Sequence, residues 1–222
     1  MLWNWNVSIY KMAYKTNTLE TLGYHIERNL LSKQLLDVMN IYFSMKEEVS
    51  GDRALITDDE SLGNPTDPQQ IHKDLQVRGS MTIHGDFIVE SLLSYLTPVF
   101  SEIAGTPLVP TYAFFRYYNK GQKLDYHWDR ICCEFSATVP IGYSEIWPIW
   151  LKDFKDENKS VDLELGDILF YKGCAVPHWR EPFEGEWAHQ TFLHWVSIET
   201  ANSHPGVIFD GRKHLGLKRN SQ

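Results

Sequence analysis

The chain has 222 residues, 43% hydrophobic and 14% aromatic, which supplies one domain with a substantial core and argues against wholesale disorder. Its formal net charge of −8 opposes phosphate backbones, so nucleic acid is not an expected partner. Three cysteines (Cys132, Cys133 and Cys174) without CxxC pairing exclude a disulfide framework or zinc knuckle and read as buried free thiols.

The N-terminus, MLWNWNVSIYKM, has no basic region followed by a long apolar run. No stretch is expected to reach bilayer-spanning length, so the expectation is a cytoplasmic protein with no membrane partner. Gly23 to Arg28 reads as a short strand. Ser32 suits a helix N-cap, with Leu31 and Leu36 placed as a hydrophobic staple. Leu35, Met39, Tyr42 and Met45 recur at helical spacing, and this helix is expected to end near Gly51. Residues 57–70, rich in Asp, Asn, Gly and Pro, read as a surface loop.

A second helix is expected from the cap Asp86 to Ala104. Ile88, Leu92, Leu96, Val99 and Ile103 form its stripe, Gly105 its stop, and Pro98 should kink or break it. After Pro110 the texture changes to short runs of Tyr, Phe, Trp, Val and Ile between turn residues. Strands are expected at 111–118, 124–129, 133–141, 146–152, 161–163, 168–173 and 188–197. The plan is one domain over 1–222, mainly β with supporting helices. Residues 1–110 are mostly helical support packed on one sheet, 111–197 the β core, and 198–222 a solvated basic tail carrying Arg212, Lys213, His214, Lys218 and Arg219.

The sequence holds three HxD triplets: His72-Lys73-Asp74, His84-Gly85-Asp86 and His127-Trp128-Asp129. A metal needs both side chains on one side of the backbone, which a strand supplies at i and i+2 and a helix does not. Asp86 is better explained as a cap, and His72 and Asp74 stand in or beside a polar loop. Only His127 and Asp129 fall in the β-rich region. His178 is the best third ligand, near the end of the apolar strand that follows the Gly166-Asp167 turn. Two imidazoles and one carboxylate leave three octahedral positions open, the facial set suited to non-haem iron(II).

From Thr111 to Val196 the sequence resembles the 2-oxoglutarate and iron(II) dependent dioxygenases, especially their prolyl-4-hydroxylase-like branch. The resemblance rests on Arg116-Tyr117-Tyr118-Asn119-Lys120-Gly121, His127-Trp128-Asp129, Leu165-Gly166-Asp167-Ile168-Leu169-Phe170, and Pro177-His178 with Pro182 beyond. It implies a double-stranded β-helix (jelly-roll) core and iron(II) held by His127, Asp129 and His178. It also implies 2-oxoglutarate and dioxygen as cosubstrates, with Tyr118 helping to seat the oxo acid. The family's cation for the distal carboxylate usually stands six positions before a tryptophan. Counting back from Trp195 lands on His189, with Arg180 and Arg116 as alternatives.

The implied activity is hydroxylation of an unactivated C–H bond, with oxidative decarboxylation of 2-oxoglutarate to succinate and carbon dioxide. The substrate, peptidyl or a small metabolite, is left open. Trp128 and Trp179 flank the ligands and are candidates for the substrate mouth, and Arg130 is placed to meet an anion or a protein carboxylate. Two rival readings stand beside this one. One is a cupin-type iron dioxygenase that uses no oxo acid; the other is a non-catalytic ligand-binding β-sandwich whose histidines are incidental.

Overall fold

The computed structural model describes residues 17–56, 71–73, 76, 77 and 79–217, so the expected loop at 57–70 falls outside it. A short helix α1 (Leu19–Leu22) and strand β1 (Tyr24–Glu27) lead into the long helix α2 (Lys33–Ile56). Strands β2 (Ile71–Lys73) and β3 (Met81–His84) precede helix α3 (Phe87–Ala104). The β-rich part then runs through β4 (Leu108–Asn119), β5 (Leu124–His127), β6 (Phe135–Tyr143), β7 (Ile149–Lys152), β8 (Asn158–Val161), β9 (Ile168–Tyr171), β10 (His178–Arg180) and β11 (Trp187–Ser197). A short helix α4 (Ile198–Ser203) and a 3₁₀ segment (Pro205–Gly211) follow.

Two antiparallel sheets face each other, a seven-stranded one in the order β1-β9-β6-β11-β4-β3-β2 and a four-stranded one in the order β5-β10-β7-β8. Alternation along the long strands of the larger sheet divides its side chains between two cores. Ala113, Phe115 and Tyr117 of β4, with Leu193 and Trp195 of β11, meet α2 and α3. Tyr112, Phe114 and Tyr118 of β4, with Ala188, Phe192 and Val196 of β11, point into the sandwich. Leu169 and Tyr171 of β9 meet Ile149, Leu151 and Val161 of the smaller sheet. The helical layer thus covers one face of the larger sheet, and the double-stranded β-helix closes over the other.

The capping expectations hold. Ser32 Oγ accepts from the amide of Leu35 at 3.3 Å, and Leu31 and Leu36 are both buried. The Asp86 carboxylate accepts from the Ile88 amide at 3.0 Å, and Gly105 ends α3 in the left-handed region at φ 66°. Helix α3 runs unbroken through Pro98. Its buried face (Val89, Leu92, Leu93, Leu96, Val99, Phe100 and Ile103) lies on the sheet, so tertiary burial outweighs the lost backbone bond.

Several expectations need correction. Helix α2 ends at Ile56 instead of near Gly51, and its buried stripe is Leu36, Met39 and Phe43, while Met45 is exposed. Helix α3 is long and apolar enough to cross a membrane by length and composition, contrary to the expectation that no stretch is; here it packs as a core helix. The strand expected at 161–163 lies at 158–161, and residues 131–133 form a 3₁₀ turn ahead of β6. β2, β3 and β10 carry too few residues to show alternation, and none was expected. Of the cysteines, Cys132 and Cys133 are buried, but Cys174 is exposed.

The expected solvated tail is also partly structural. Arg212 donates to Glu90 Oε1 at 2.6 Å, with both side chains almost fully buried. It donates as well to the carbonyls of Phe209, Thr111 and Leu217. Lys213 and His214 are exposed as expected.

Candidate metal centre

His127 ends β5 and His178 begins β10, and the two residues are partners across that antiparallel ladder. The ladder sets their rings 4.3 Å apart, centroid to centroid. Asp129 follows β5 directly, its backbone fixed by donation from its amide to the Gly173 carbonyl at 3.0 Å. The loop of Gly173 lies close against it. A Cβ at Gly173 would sit 2.8 Å from Ser136 Oγ and closer still to Asp129 and to the Cys133 carbonyl, so only glycine fits.

Asp129 Oδ1 lies 3.7 Å from Nε2 of His127 and 3.7 Å from Nε2 of His178. The other ring nitrogens are committed to the backbone. His127 Nδ1–H donates to the Asp125 carbonyl at 2.8 Å, and His178 Nδ1–H to the Val176 carbonyl at 3.1 Å. These bonds fix both rings with bare Nε2 lone pairs turned toward the carboxylate. Burial pushes His178 down to about 4, with Asp129 opposing and His127 reinforcing, so the ring is in its neutral, ligating form at physiological pH. Among the described residues, the Gln76 amide lies 3.0 Å from Nε2 of His127 and the Tyr171 hydroxyl 3.3 Å from Nε2 of His178. Two imidazoles and one carboxylate, with ligand atoms all within 4.8 Å of one another, suit a divalent cation such as iron(II).

The three residues open onto a cavity of about 280 Å³ between the sheets. One wall is aromatic, built from Tyr112, Phe114, Phe192 and His194 on β4 and β11. Phe114 and Phe192 stack at 4.7 Å, and Tyr112 and His194 meet in a tilted pair at 4.6 Å. Trp128 stands at the mouth, 56% exposed. Trp179 does not reach the cavity lining; it packs against Trp150 and Tyr126 on the smaller sheet. Arg130 is held by Asp210 through a paired contact at 3.0 and 3.1 Å, which makes it the partner of a protein carboxylate.

The expected carboxylate anchors separate into two groups. His189 lies on the helix side of β11. Its Nδ1 is 2.9 Å from Asn40 Oδ1, its Nε2 is 3.5 Å from Glu47, and its ring meets Phe43 and Tyr117. It is therefore remote from the cavity, and a count of six from Trp195 had to miss. Trp195 itself faces α3, donating to Thr97 Oγ1, and six is an even step along a strand.

Tyr118, Arg116 and Arg180, by contrast, gather together. Arg116 lines the cavity and donates to the Tyr118 hydroxyl at 3.0 Å and to Thr82 Oγ1 at 3.0 Å. Arg180 is 2% exposed and packs 4.8 Å over Trp147, a ring that also meets Tyr118 edge-on. It donates to the Trp147 carbonyl, and its Nε has no hydrogen-bond partner among the described residues. Burial pushes its guanidinium down to about 10.

Gln76, Ser136, Tyr171 and His194 are the site residues that sequence reasoning missed. Ser136, Tyr171 and His194 are single polar or aromatic residues within apolar strands, and Gln76 lies outside any strand, so none carries a pattern that separates it from a packing or surface residue.

No protein-family profile matches the chain, and no curated protein does. Solved structures do. A prolyl-4-hydroxylase from Pseudomonas putida matches with a TM-score of 0.61 at 12% identity, over 82% of this chain and 96% of that one. The non-haem alpha-ketoglutarate dependent carbocyclase SnoK from nogalamycin biosynthesis matches at 0.64 and 10% identity, over 84% and 85%. A prolyl hydroxylase from Trichoplax adhaerens, in complex with a peptide fragment of the hypoxia inducible factor oxygen degradation domain, matches at 0.59 and 14%, over 84% and 89%. The fold is thus the double-stranded β-helix of the 2-oxoglutarate and iron(II) oxygenases.

Proposed function

We propose that this chain is an iron(II) and 2-oxoglutarate dependent oxygenase, with the metal held by His127, Asp129 and His178. The observation that carries the reading is the convergence of one carboxylate oxygen and two backbone-fixed imidazole nitrogens at 3.7 Å spacing. That convergence lies at the mouth of a cavity in a fold shared with such enzymes. Bound there, the iron supplies dioxygen activation coupled to oxidative decarboxylation of 2-oxoglutarate to succinate and carbon dioxide.

The protein's own part is binding, orientation and exclusion of water. Asp125 and Val176 carbonyls aim the two imidazoles. Tyr118 seats the oxo acid, whose distal carboxylate pairs with Arg180 and Arg116. A buried guanidinium with an orphaned Nε is costly by itself and is relieved by an anion. The aromatic wall of Phe114, Phe192 and Tyr112 keeps the reacting end of the cavity water-poor. The reaction is proposed as hydroxylation of an unactivated C–H bond. One similar structure is in complex with a peptide fragment and another comes from nogalamycin biosynthesis, so either a peptidyl residue or a small metabolite fits the substrate.

Anaerobic titration with iron(II) and 2-oxoglutarate tests this. A weak visible charge-transfer band of the chelate should grow in, and should be missing from His127→Ala and Asp129→Ala. Succinate release during turnover distinguishes the reading from an iron dioxygenase that needs no oxo acid. Unchanged iron content in both variants would discredit the metal site altogether.

A further inference from the structure

Ser136 on β6 and His194 on β11 lie behind Asp129, outside the three-residue ligand set. Ser136 Oγ is 2.6 Å from Asp129 Oδ2 and 2.9 Å from His194 Nδ1. The hydroxyl has one proton, and an ionised carboxylate can only accept. The proton therefore goes to Asp129 in preference to the neutral Cys133 carbonyl, which is 3.3 Å away. Ser136 must then accept from His194, which places the imidazole proton on Nδ1. His194 Nε2 is buried without a partner among the described residues, which a lone pair tolerates better than an N–H. A tilted contact with the Tyr112 ring, 4.6 Å between centroids, helps to hold the imidazole in place.

We propose that His194 and Ser136 form a one-way hydrogen-bond relay that positions the metal carboxylate. Ser136 occupies Oδ2 and leaves Oδ1, the oxygen equidistant from the two imidazoles, as the single ligating atom. Both are positioning residues acting through Asp129. The proposal deepens the oxygenase reading and rests on it for its catalytic meaning, although the relay itself needs only the metal. The same geometry excludes a second ion. Asp129, Cys133 and His194 also offer ligand atoms within 4.8 Å of one another. But Oδ2 and Nδ1 are both committed to Ser136, and Cys133 Sγ is 3.2 Å from the Tyr112 hydroxyl.

The test uses the full chain loaded with zinc(II) for NMR and cobalt(II) for affinity. Long-range ¹H–¹⁵N correlation of the wild type should show His194 as the Nδ1–H tautomer; an Nε2–H ring overturns the proposal and requires no variant. Ser136→Ala should weaken cobalt(II) binding by roughly 10- to 100-fold, and Ser136→Thr, which restores the hydroxyl, should return it to within about threefold of wild type. Unchanged affinity in Ser136→Ala, or two tightly bound zinc equivalents in the wild type, overturns it. If these results hold while no oxo-acid chelate band forms, the oxygenase reading fails and the relay stands.

Discussion

Replacing Arg180 by methionine separates ligand binding from stability. The guanidinium is 2% exposed and no acidic partner is recorded for it among the described residues. Its neighbours are the Trp147 carbonyl and ring, and its Nε is unsatisfied. If it holds the distal carboxylate of 2-oxoglutarate, its removal deletes a charge-assisted contact worth about 1.5–3 kcal/mol, which is a rise of roughly 10- to 150-fold in the oxo acid's Kd. Folding stability should move the other way or hold. Burial disfavours the charged form and pulls the group down to about 10, so the folded state carries a cost that methionine of similar length removes. The assay is anaerobic chelate-band titration beside urea denaturation of the metal-free protein. An unaltered oxo-acid Kd, with stability lost by more than about 2 kcal/mol, would show that Arg180 is a structural residue and refute the reasoning.

Arg212→Ala leaves the carboxylate of Glu90 buried without its cation, and urea denaturation should show a loss of about 3–5 kcal/mol, largely recovered by adding Glu90→Gln. Asp167 takes the amides of Asn29 and Glu164 at 2.9 and 3.0 Å and Arg28 at 2.6 Å. Burial pushes its carboxyl up, but those three donors outweigh it and hold the group below 3.8. Its stabilisation is therefore complete above the unfolded pKa and lost as pH falls through the folded one. Asp167→Asn should cost about 2–3 kcal/mol at pH 7, with the gap to wild type closing below about pH 4 in pH-dependent denaturation. His189→Gln should leave the oxo-acid Kd within about twofold, read by the same titration, because the side chain faces Asn40 and Glu47; a tenfold rise would return it to the site.

The sequence by itself determined the elements whose signals are local. Ser32 and Asp86 as caps, Gly105 as a stop and Gly166-Asp167 as a turn are each written within a few residues, and each stands where expected. The three residues singled out as ligands do converge, but β5 ends at His127, so strand alternation does not place Asp129; its amide bond to the Gly173 carbonyl does. What the tertiary structure decided was every question of facing. His189 and Trp195 turn to the helices while Phe192 and His194 turn to the cavity, and the bulges at 189/190 and 194/195 complicate any count along β11. Arg180 of the smaller sheet and Tyr118 of the larger meet the same Trp147 ring, and Arg212 crosses more than a hundred residues to Glu90. Alternation fixes that neighbouring side chains oppose one another, but which side becomes the interior depends on the layer that packs against it, and that layer is supplied by residues far away in the chain.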